Sequence, residues 1–228
     1  ARILAGGTDL LVELRKPAAV TPAMIIDIGG IPDLHGIRES GDEVIIGSLT
    51  THTELVQNET LRHCAPVLQS AAAAIGSVQI RNRGTIGGNI MNAAACADTV
   101  PPLVALGAEL SLRSSAGERR LPISEFFLKP YVTAARQDEL LTHIRFRALP
   151  AQAHGAFLKL GRRNGVAIAR LSVATIVTRD SDGTIREARI VPGAVFPTWQ
   201  RVTEAEQLLV GRQPVEELFR EAGRKVAG

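Results

Sequence analysis

The sequence predicts an α+β protein: an α/β first part, then a three-stranded antiparallel sheet with helices. Three observations carry this prediction. Over residues 1–150, short apolar strands alternate with amphipathic or alanine-rich helical segments. Beyond Pro150-Ala151-Gln152, which reads as a linker, strand-like segments follow one another with no helix between them. Two helical segments then close the sequence, each opened by helix-start residues. With 228 residues the chain is long enough for separate cores, and we expect domains at residues 1–150 and 151–228.

In chain order, Ile3-Leu4 is a strand leading into Ala5-Gly6-Gly7-Thr8-Asp9-Leu10. Leu10, Leu11 and Leu14 then share one side of a short helix that stops before Pro17. Met24–Ile28 and Val44–Gly47 are apolar strands, and Thr51 and Glu54 have capping-box spacing. Pro66–Ile75 is an alanine-rich helix that Gly76 ends. Gly84-Thr85-Ile86-Gly87-Gly88-Asn89-Ile90 reads as a second glycine loop, followed by the small side chains of Asn92–Ala97. Asp98-Thr99 supplies the cap of a helix with Pro101 and Pro102 in its first turn and Leu103 and Leu106 turned inward. Leu110 and Leu112 alternate on a strand, Ser115-Ala116-Gly117 turns, and Leu140, Thr142, Ile144 and Phe146 alternate on the strand that closes this domain.

The second part reads as a meander of Gly155–Arg162, Arg170–Thr178 and Thr184–Val191, with a turn at Asp180-Ser181-Asp182-Gly183. Thr203 and Glu206 have capping-box spacing with Gly211 as the stop. Val215, Leu218, Phe219 and Ala222 repeat with helical period behind Pro214. Ala1–Ala5 reads as a strand joined midway, and the last helix is still amphipathic at Gly228, so further sequence is expected at both ends.

Composition excludes several classes. Apolar residues make up 45% and charged residues 21%, as in ordinary globular proteins, and no apolar run has the length of a membrane span. No secretory signal pattern opens the sequence, and Cys64 and Cys96 form neither a metal site nor a disulfide framework. Reduced thiols in a cytoplasmic protein are the expectation. The net charge of +3 is scattered in short spots, Arg81-Asn82-Arg83, Arg119-Arg120 and Arg162-Arg163. Aromatics are only 4%, and Trp199 and Tyr131 lie away from those spots, so nucleic acid is not a partner. His52 and His63 lack metal-ligand spacing and read as surface or turn histidines.

The chemistry lies in the two glycine segments. A glycine pair lets backbone N–H groups approach an anion with no Cβ in the way. Strand, glycine pair, Thr8-Asp9 and helix would present amides and a helix N-terminus to a phosphate, and Thr85 and Asn89 flank the second pair with hydroxyl and amide groups. Neither segment fits G-x-G-x-x-G or the Walker pattern. Together they suggest two backbone cradles closing on one large phosphate-bearing ligand.

These residues resemble the FAD-binding medium subunit, or domain, of the molybdenum hydroxylases. The matching stretches are A-G-G-T-D-L at Ala5–Leu10, I-G-S-L-T-T-H-T-E-L at Ile46–Leu55 and T-I-G-G-N-I-M-N-A-A-A-C-A-D-T-V-P-P-L at Thr85–Leu103. A-R-I-V-P-G-A-V at Ala188–Val195 and the Glu204–Gly211 helix extend the match over essentially the whole chain. The resemblance implies a PCMH-type FAD-binding domain of two α/β subdomains, then the antiparallel-sheet domain. It implies non-covalent FAD with the pyrophosphate held by Leu4, Ala5, Gly6, Gly7, Thr8 and Asp9 and by Thr85, Gly87, Gly88 and Asn89. Asp98 would lie near the adenosine end, while Ile75 and Gly76 would line the flavin ring. Ile75 departs from the aromatic residue that xanthine dehydrogenases place there. Asp98 as a helix N-cap remains compatible with that role. Lys159 matches a family lysine near the flavin, where a cation favours the anionic reduced form, although a surface lysine snorkelling from a strand fits the residue equally.

The implied function is electron transfer from iron–sulfur clusters on a small subunit to FAD, and on to NAD or another acceptor. The molybdenum cofactor and 2Fe-2S clusters are expected only on partner subunits, and the two cysteines fall short of the thiolates a cluster in this chain would need. No nucleophile–base pair stands out. Two rival readings are a flavin-free scaffold subunit and a stand-alone bilobal flavin oxidoreductase.

Overall fold

The computed structural model describes residues 1–163 and 166–227; the expectation made at Gly228 lies outside them. The chain begins with β1 (Arg2–Leu4), α1 (Leu10–Leu14) and β2 (Ile25–Asp27), the two strands pairing in parallel with Ile3 opposite Ile26. A 3₁₀ turn at Pro32–Leu34 follows. This first unit has a small core, where Ile28, Leu34 and Leu49 pack with Ala5 and Leu140.

The second unit opens with β3 (Ile37–Ser40) and β4 (Glu43–Gly47) and then runs through six helices. These are α2 (His52–Gln57), α3 (Glu59–Cys64), α4 (Pro66–Ala73), α5 (Val78–Arg81), α6 (Ile86–Asn92) and α7 (Val100–Ala105). It continues with β5 (Glu109–Ser114), β6 (Gly117–Pro122), α8 (Ile123–Phe126), the small hairpin β7 (Phe127–Lys129) and β8 (Val132–Thr133), and closes with β9 (Leu140–Arg147). The sheet order is β3-β4-β9-β5-β6, antiparallel throughout. Among the described residues, parallel pairing is confined to β1 and β2. The apolar face of this sheet aligns Ile46, Ile144, Leu110 and Leu121 across four strands, and the helices cover it.

Short helices start where the sequence offers caps. The Thr51 hydroxyl accepts from Glu54 N at 3.2 Å while the Glu54 carboxylate accepts from Thr51 N at 2.7 Å, the expected capping box. Asn58, Ser77 and Thr85 cap α3, α5 and α6 through their side chains. The β9 alternation differs from expectation because a bulge intervenes: Ser111 pairs with His143 and Leu112 with Leu141, leaving Thr142 as the extra residue. Leu141 thereby takes the core position, and Leu140 packs against the small core of the first unit.

The last unit is the meander β10 (Ala153–Leu160), β11 (Leu171–Arg179) and β12 (Ile185–Gly193), followed by α9 (Thr203–Leu209) and α10 (Glu216–Ala227). Its sheet is buried on both faces along β11. Ala174 and Ile176 join the main core, while Val173 and Val177 pack with Leu209, Leu218 and Ala222 of the two terminal helices. The capping box expected at Thr203 and Glu206 does not form. Val202 is the N-cap, and Glu206 is drawn inward to accept from Ile190 N at 2.7 Å and from the Arg201 guanidinium at 2.8 Å. A buried strand amide outcompetes the helix terminus for the carboxylate.

No helix among the described residues is long and apolar enough to cross a membrane. One ion pair makes the fold's acid response testable. Arg119 grips Glu139 with two hydrogen bonds of 2.6 and 2.8 Å, Arg136 N adds a third of 2.7 Å, and the Glu139 side chain is 4% exposed. These donors pull its carboxyl from 4.5 down to about 2. A depressed carboxyl stabilises the fold above its unfolded value, and that contribution is lost as pH falls towards the folded one. Urea unfolding of wild type is therefore expected to weaken between about pH 4.5 and 2, and Glu139→Gln to be weaker at neutral pH with a flatter response across that window.

Candidate cofactor site

The two glycine segments meet. The loop Ala5–Asp9 leaves β1 and lies directly on the chain between α5 and α6, where a Cβ on Gly6 would overlap the Arg83 carbonyl and lie 3.0 Å from Gly84 Cα. Only glycine permits that approach. The second segment is not a loop, as expected, but the first turn of α6. Thr85 is its N-cap, accepting from Gly88 N at 3.1 Å, and Gly87 and Gly88 are helical. Gly87 is pressed against β4's continuation, with a would-be Cβ 2.6 Å from Ser48 Cβ. Gly88 meets only Thr85 Oγ1 and is otherwise open.

The segments differ in their free donors. Among the described residues, the amides of Gly6, Gly7, Thr8 and Asp9 have no protein acceptor. Those of the second segment are engaged: Ile86 N donates to Thr50 O, Gly87 N to Ser48 O, Gly88 N to Thr85 Oγ1 and Asn89 N to Thr85 O. The first loop thus offers the backbone donors for an anion. The second supplies a floor without side chains and the positive end of a short helix.

The remaining expected residues join this pair through side chains. Asp98, 7% exposed, is ion-paired to Lys159 of β10 at 2.6 Å, and Lys159 Nζ also donates to Ala74 O at 3.0 Å, one residue before Ile75 and Gly76. Lys159 is accordingly neither a snorkelling surface residue nor a free cation. Asp98 is no helix cap either, because its carboxylate is taken by Lys159, and Thr99, the residue before α7, makes no side-chain cap. The Thr99 hydroxyl instead donates to Asn89 Oδ1 at 2.7 Å, tying the Asp98 segment to α6. Leu4 ends β1 and passes its carbonyl to Ile28 N, anchoring the first loop rather than facing it.

Burial pushes the Asp98 carboxyl above its ordinary range, with Lys159 pulling it partly back. The cause is visible: Asp98 Oδ1 is buried with no hydrogen-bond partner. A buried acceptor left unmade costs about 1–3 kcal/mol, so a donor arriving from a ligand would find it ready. Cys96, half-buried near Asp98, has its thiol pushed up by burial, which disfavours the thiolate.

Sequence reasoning missed two residues here. His52 is 3% exposed rather than at the surface, and its ring packs against Gly84, so burial and the Arg81 charge lower it to about 4. Arg81 was counted only as part of a basic spot, although its guanidinium binds the carbonyls of Ile75 and Gly76. The T-T-H-T-E-L and R-N-R stretches contain both, but no spacing rule marks them. A separate cavity of about 370 Å³, lined by Asp33, Arg38, Arg113, Glu118 and His143 among others, shares no lining residue with this site.

Unengaged amides on the first segment and a buried acceptor without a donor on the segment tied to α6 suit a ligand carrying both phosphate and hydroxyl groups, the profile of a dinucleotide cofactor. The comparisons agree. A family model described as the FAD binding domain in molybdopterin dehydrogenase matches residues 1–148, and one described as the CO dehydrogenase flavoprotein C-terminal domain matches residues 156–228. The chain is 37% identical over 211 residues to the 6-hydroxypseudooxynicotine dehydrogenase complex subunit alpha of Paenarthrobacter nicotinovorans, covering 92% of this chain and 70% of the relative. It is 34% identical over 222 residues to the carbon monoxide dehydrogenase medium chain of Hydrogenophaga pseudoflava, covering 97% and 76%. A solved structure of carbon monoxide dehydrogenase from Hydrogenophaga pseudoflava, lacking the Mo-pyranopterin moiety, superposes with a TM-score of 0.92 at 35% identity over 98% of this chain and 77% of that one. The chain belongs to the FAD-binding medium subunits of the molybdenum hydroxylase family, as an oxidoreductase flavoprotein subunit.

The Asp98–Lys159 pair gives a direct test of the site's construction. Asp98→Leu leaves the Lys159 ammonium buried without its counter-ion and is expected to cost about 3–5 kcal/mol of stability, whereas Asp98→Leu with Lys159→Met should recover most of it. Chemical denaturation of the two variants and wild type checks this.

Proposed function

We propose that this chain is the FAD-binding electron-transfer subunit of a multi-subunit molybdenum hydroxylase, with residues 1–150 holding the cofactor and residues 151–228 forming the C-terminal domain. Its partners are a small iron–sulfur subunit and a large subunit that carries the molybdenum cofactor, and the complex works in the cytoplasm. Electrons arrive from the partner's clusters and leave to NAD or another acceptor. One observation carries the cofactor assignment: the amides of Gly6–Asp9 have no protein acceptor and are locked by Gly6 onto the second glycine segment, to which the Thr99–Asn89 hydrogen bond ties the segment bearing the orphaned Asp98 oxygen.

The roles divide by chemistry. The amides of Gly6, Gly7, Thr8 and Asp9 hold the diphosphate, with Ala5 and Leu4 fixing the loop to the strand. Thr85, Gly87, Gly88 and Asn89 form the opposing wall, where the absence of a Cβ at Gly88 leaves room for the cofactor chain. Asp98 Oδ1 accepts from a cofactor hydroxyl. Lys159 pairs with Asp98 and holds the end of α4, so that Ile75 and Gly76 border the ring. When bound, flavin takes up electrons singly and donates them as a pair, and the protein contributes position and electrostatics.

Full-length subunit with its partners should carry FAD that is released on denaturation, with flavin absorption bands. Gly88→Val should weaken FAD binding by roughly tenfold or more while the chain stays folded, because the branched side chain enters the cofactor's space. Equilibrium dialysis with FAD and a thermal melt of the same samples decide it. A folded Gly88→Val protein with wild-type FAD affinity removes that wall from the site.

A further inference from the structure

The end of α4 is held in an unusual way. Its three successive carbonyls are taken by two cations arriving from different elements. Lys159 Nζ, from β10, donates to Ala74 O at 3.0 Å, and Arg81 Nη1, from α5, donates to Ile75 O at 2.8 Å and Gly76 O at 3.3 Å. The C-terminal end of a helix attracts cations. Two of them on consecutive carbonyls do more than satisfy a dipole, because they fix the peptide planes on both sides of Ile75. Among the described residues the amides of Gly76 and Ser77 have no protein acceptor, so the turn offers N–H donors on a backbone whose carbonyls are already committed.

Arg81 also carries its charge without an anion. Among the described residues no carboxylate lies within ion-pair distance of it, whereas Lys159 is paired with Asp98. Its titratable neighbour His52 is neutral at physiological pH, being buried. Two residues beyond the end of the same short helix is Arg83, whose carbonyl is the surface Gly6 docks on. One four-residue helix therefore connects the turn at Ile75–Gly76 with the first glycine loop.

We propose that Arg81 is a positioning residue for the flavin: it holds the Ile75–Gly76 turn against the ring, and its uncompensated charge raises the reduction potential of the flavin held there. This rests on the reading of Ile75 and Gly76 as ring-lining residues. A guanidinium fork suits the task because it reaches two neighbouring carbonyls from one plane, which a lysine ammonium cannot do as a rigid unit. A nearby cation stabilises the added negative charge of a reduced flavin through space.

The test uses the full-length subunit in its complex, with Arg81→Met and Arg81→Lys compared to wild type for FAD affinity and for flavin reduction potential by spectroelectrochemical titration. Arg81→Met is expected to bind FAD about tenfold more weakly, from the loss of charged hydrogen bonds to the turn, and to titrate at a lower potential. Arg81→Lys is expected to fall between the two in both respects. FAD-loaded variants with the wild-type potential overturn the proposal. If Arg81→Met does not fold, Arg81→Lys alone decides, and wild-type affinity and potential in that variant overturn it. A wild-type subunit that takes up no flavin overturns the cofactor reading itself and this inference with it; a flavin-bearing wild type with indifferent variants overturns this inference alone.

Discussion

Gly6 has no side chain, and the Arg83 carbonyl occupies the space where one would be. This contact carries the first unit. Its sheet has only two strands, and Ile3, Ile25 and Ile26 are each more than 40% exposed. A two-stranded parallel sheet with little cover has small intrinsic stability. What fixes the first loop is therefore its docking on the helical layer of the second unit, together with the small core of Ile28, Leu34 and Leu49. The same contact sets the distance between the two glycine segments. Any side chain at position 6 would move the loop off the second segment, and the free amides of Gly6–Asp9 would lose their facing wall.

The C-terminal sheet reaches into this arrangement through one residue. Lys159 sits on β10, far along the chain from Asp98 and Ala74, and joins both. Phe157 of the same strand packs on the main core, and Gly155 lies against Val67 of α4, with a would-be Cβ 2.9 Å from its Cβ. The third unit thus contributes directly to the candidate site and is not an appendage to it. Three sets of polar contacts, Lys159 with Asp98 and Ala74 O, Arg81 with Ile75 O and Gly76 O, and Thr99 with Asn89, are joined through the backbone and link α4, α5, α6, α7 and β10. Buried polar chains of this kind are stabilising only when their members are satisfied. The single gap, at Asp98 Oδ1, falls where a ligand donor would close it.

Much of this was legible in the sequence, and the failures share a cause. The α+β class, the α4 helix, the strands around Val44 and Leu110 and the final meander were readable from period and turn chemistry, since burial on one face imposes both. The two glycine segments were recognisable as candidates for one site, but the expectation of two cradles met a difference between them, since only the first has amides without a protein acceptor. Local patterns failed where tertiary partners outcompeted them. Glu206 left its capping position for the Ile190 amide, Asp98 left the α7 terminus for Lys159, and the Thr142 bulge exchanged Leu140 for Leu141 in the core. His52 looked like a turn residue because nothing in its neighbours reveals that Gly84 closes over it. Gly87-Gly88 read as a loop because glycine is a poor helix former, yet the Thr85 cap and the Ser48 carbonyl hold it helical.

The two glycine segments are asymmetric: the first has amides without a protein acceptor, and in the proposed binding mode it supplies the donors while the second supplies the wall. Amide hydrogen exchange of the subunit with and without FAD tests it at single-residue level by NMR. Gly6, Gly7, Thr8 and Asp9 should exchange rapidly without cofactor and become protected when FAD binds, while Ile86, Gly87 and Asn89, already hydrogen-bonded, should change little. Strong new protection confined to residues 86–89, with Gly6–Asp9 unaffected, would contradict the account.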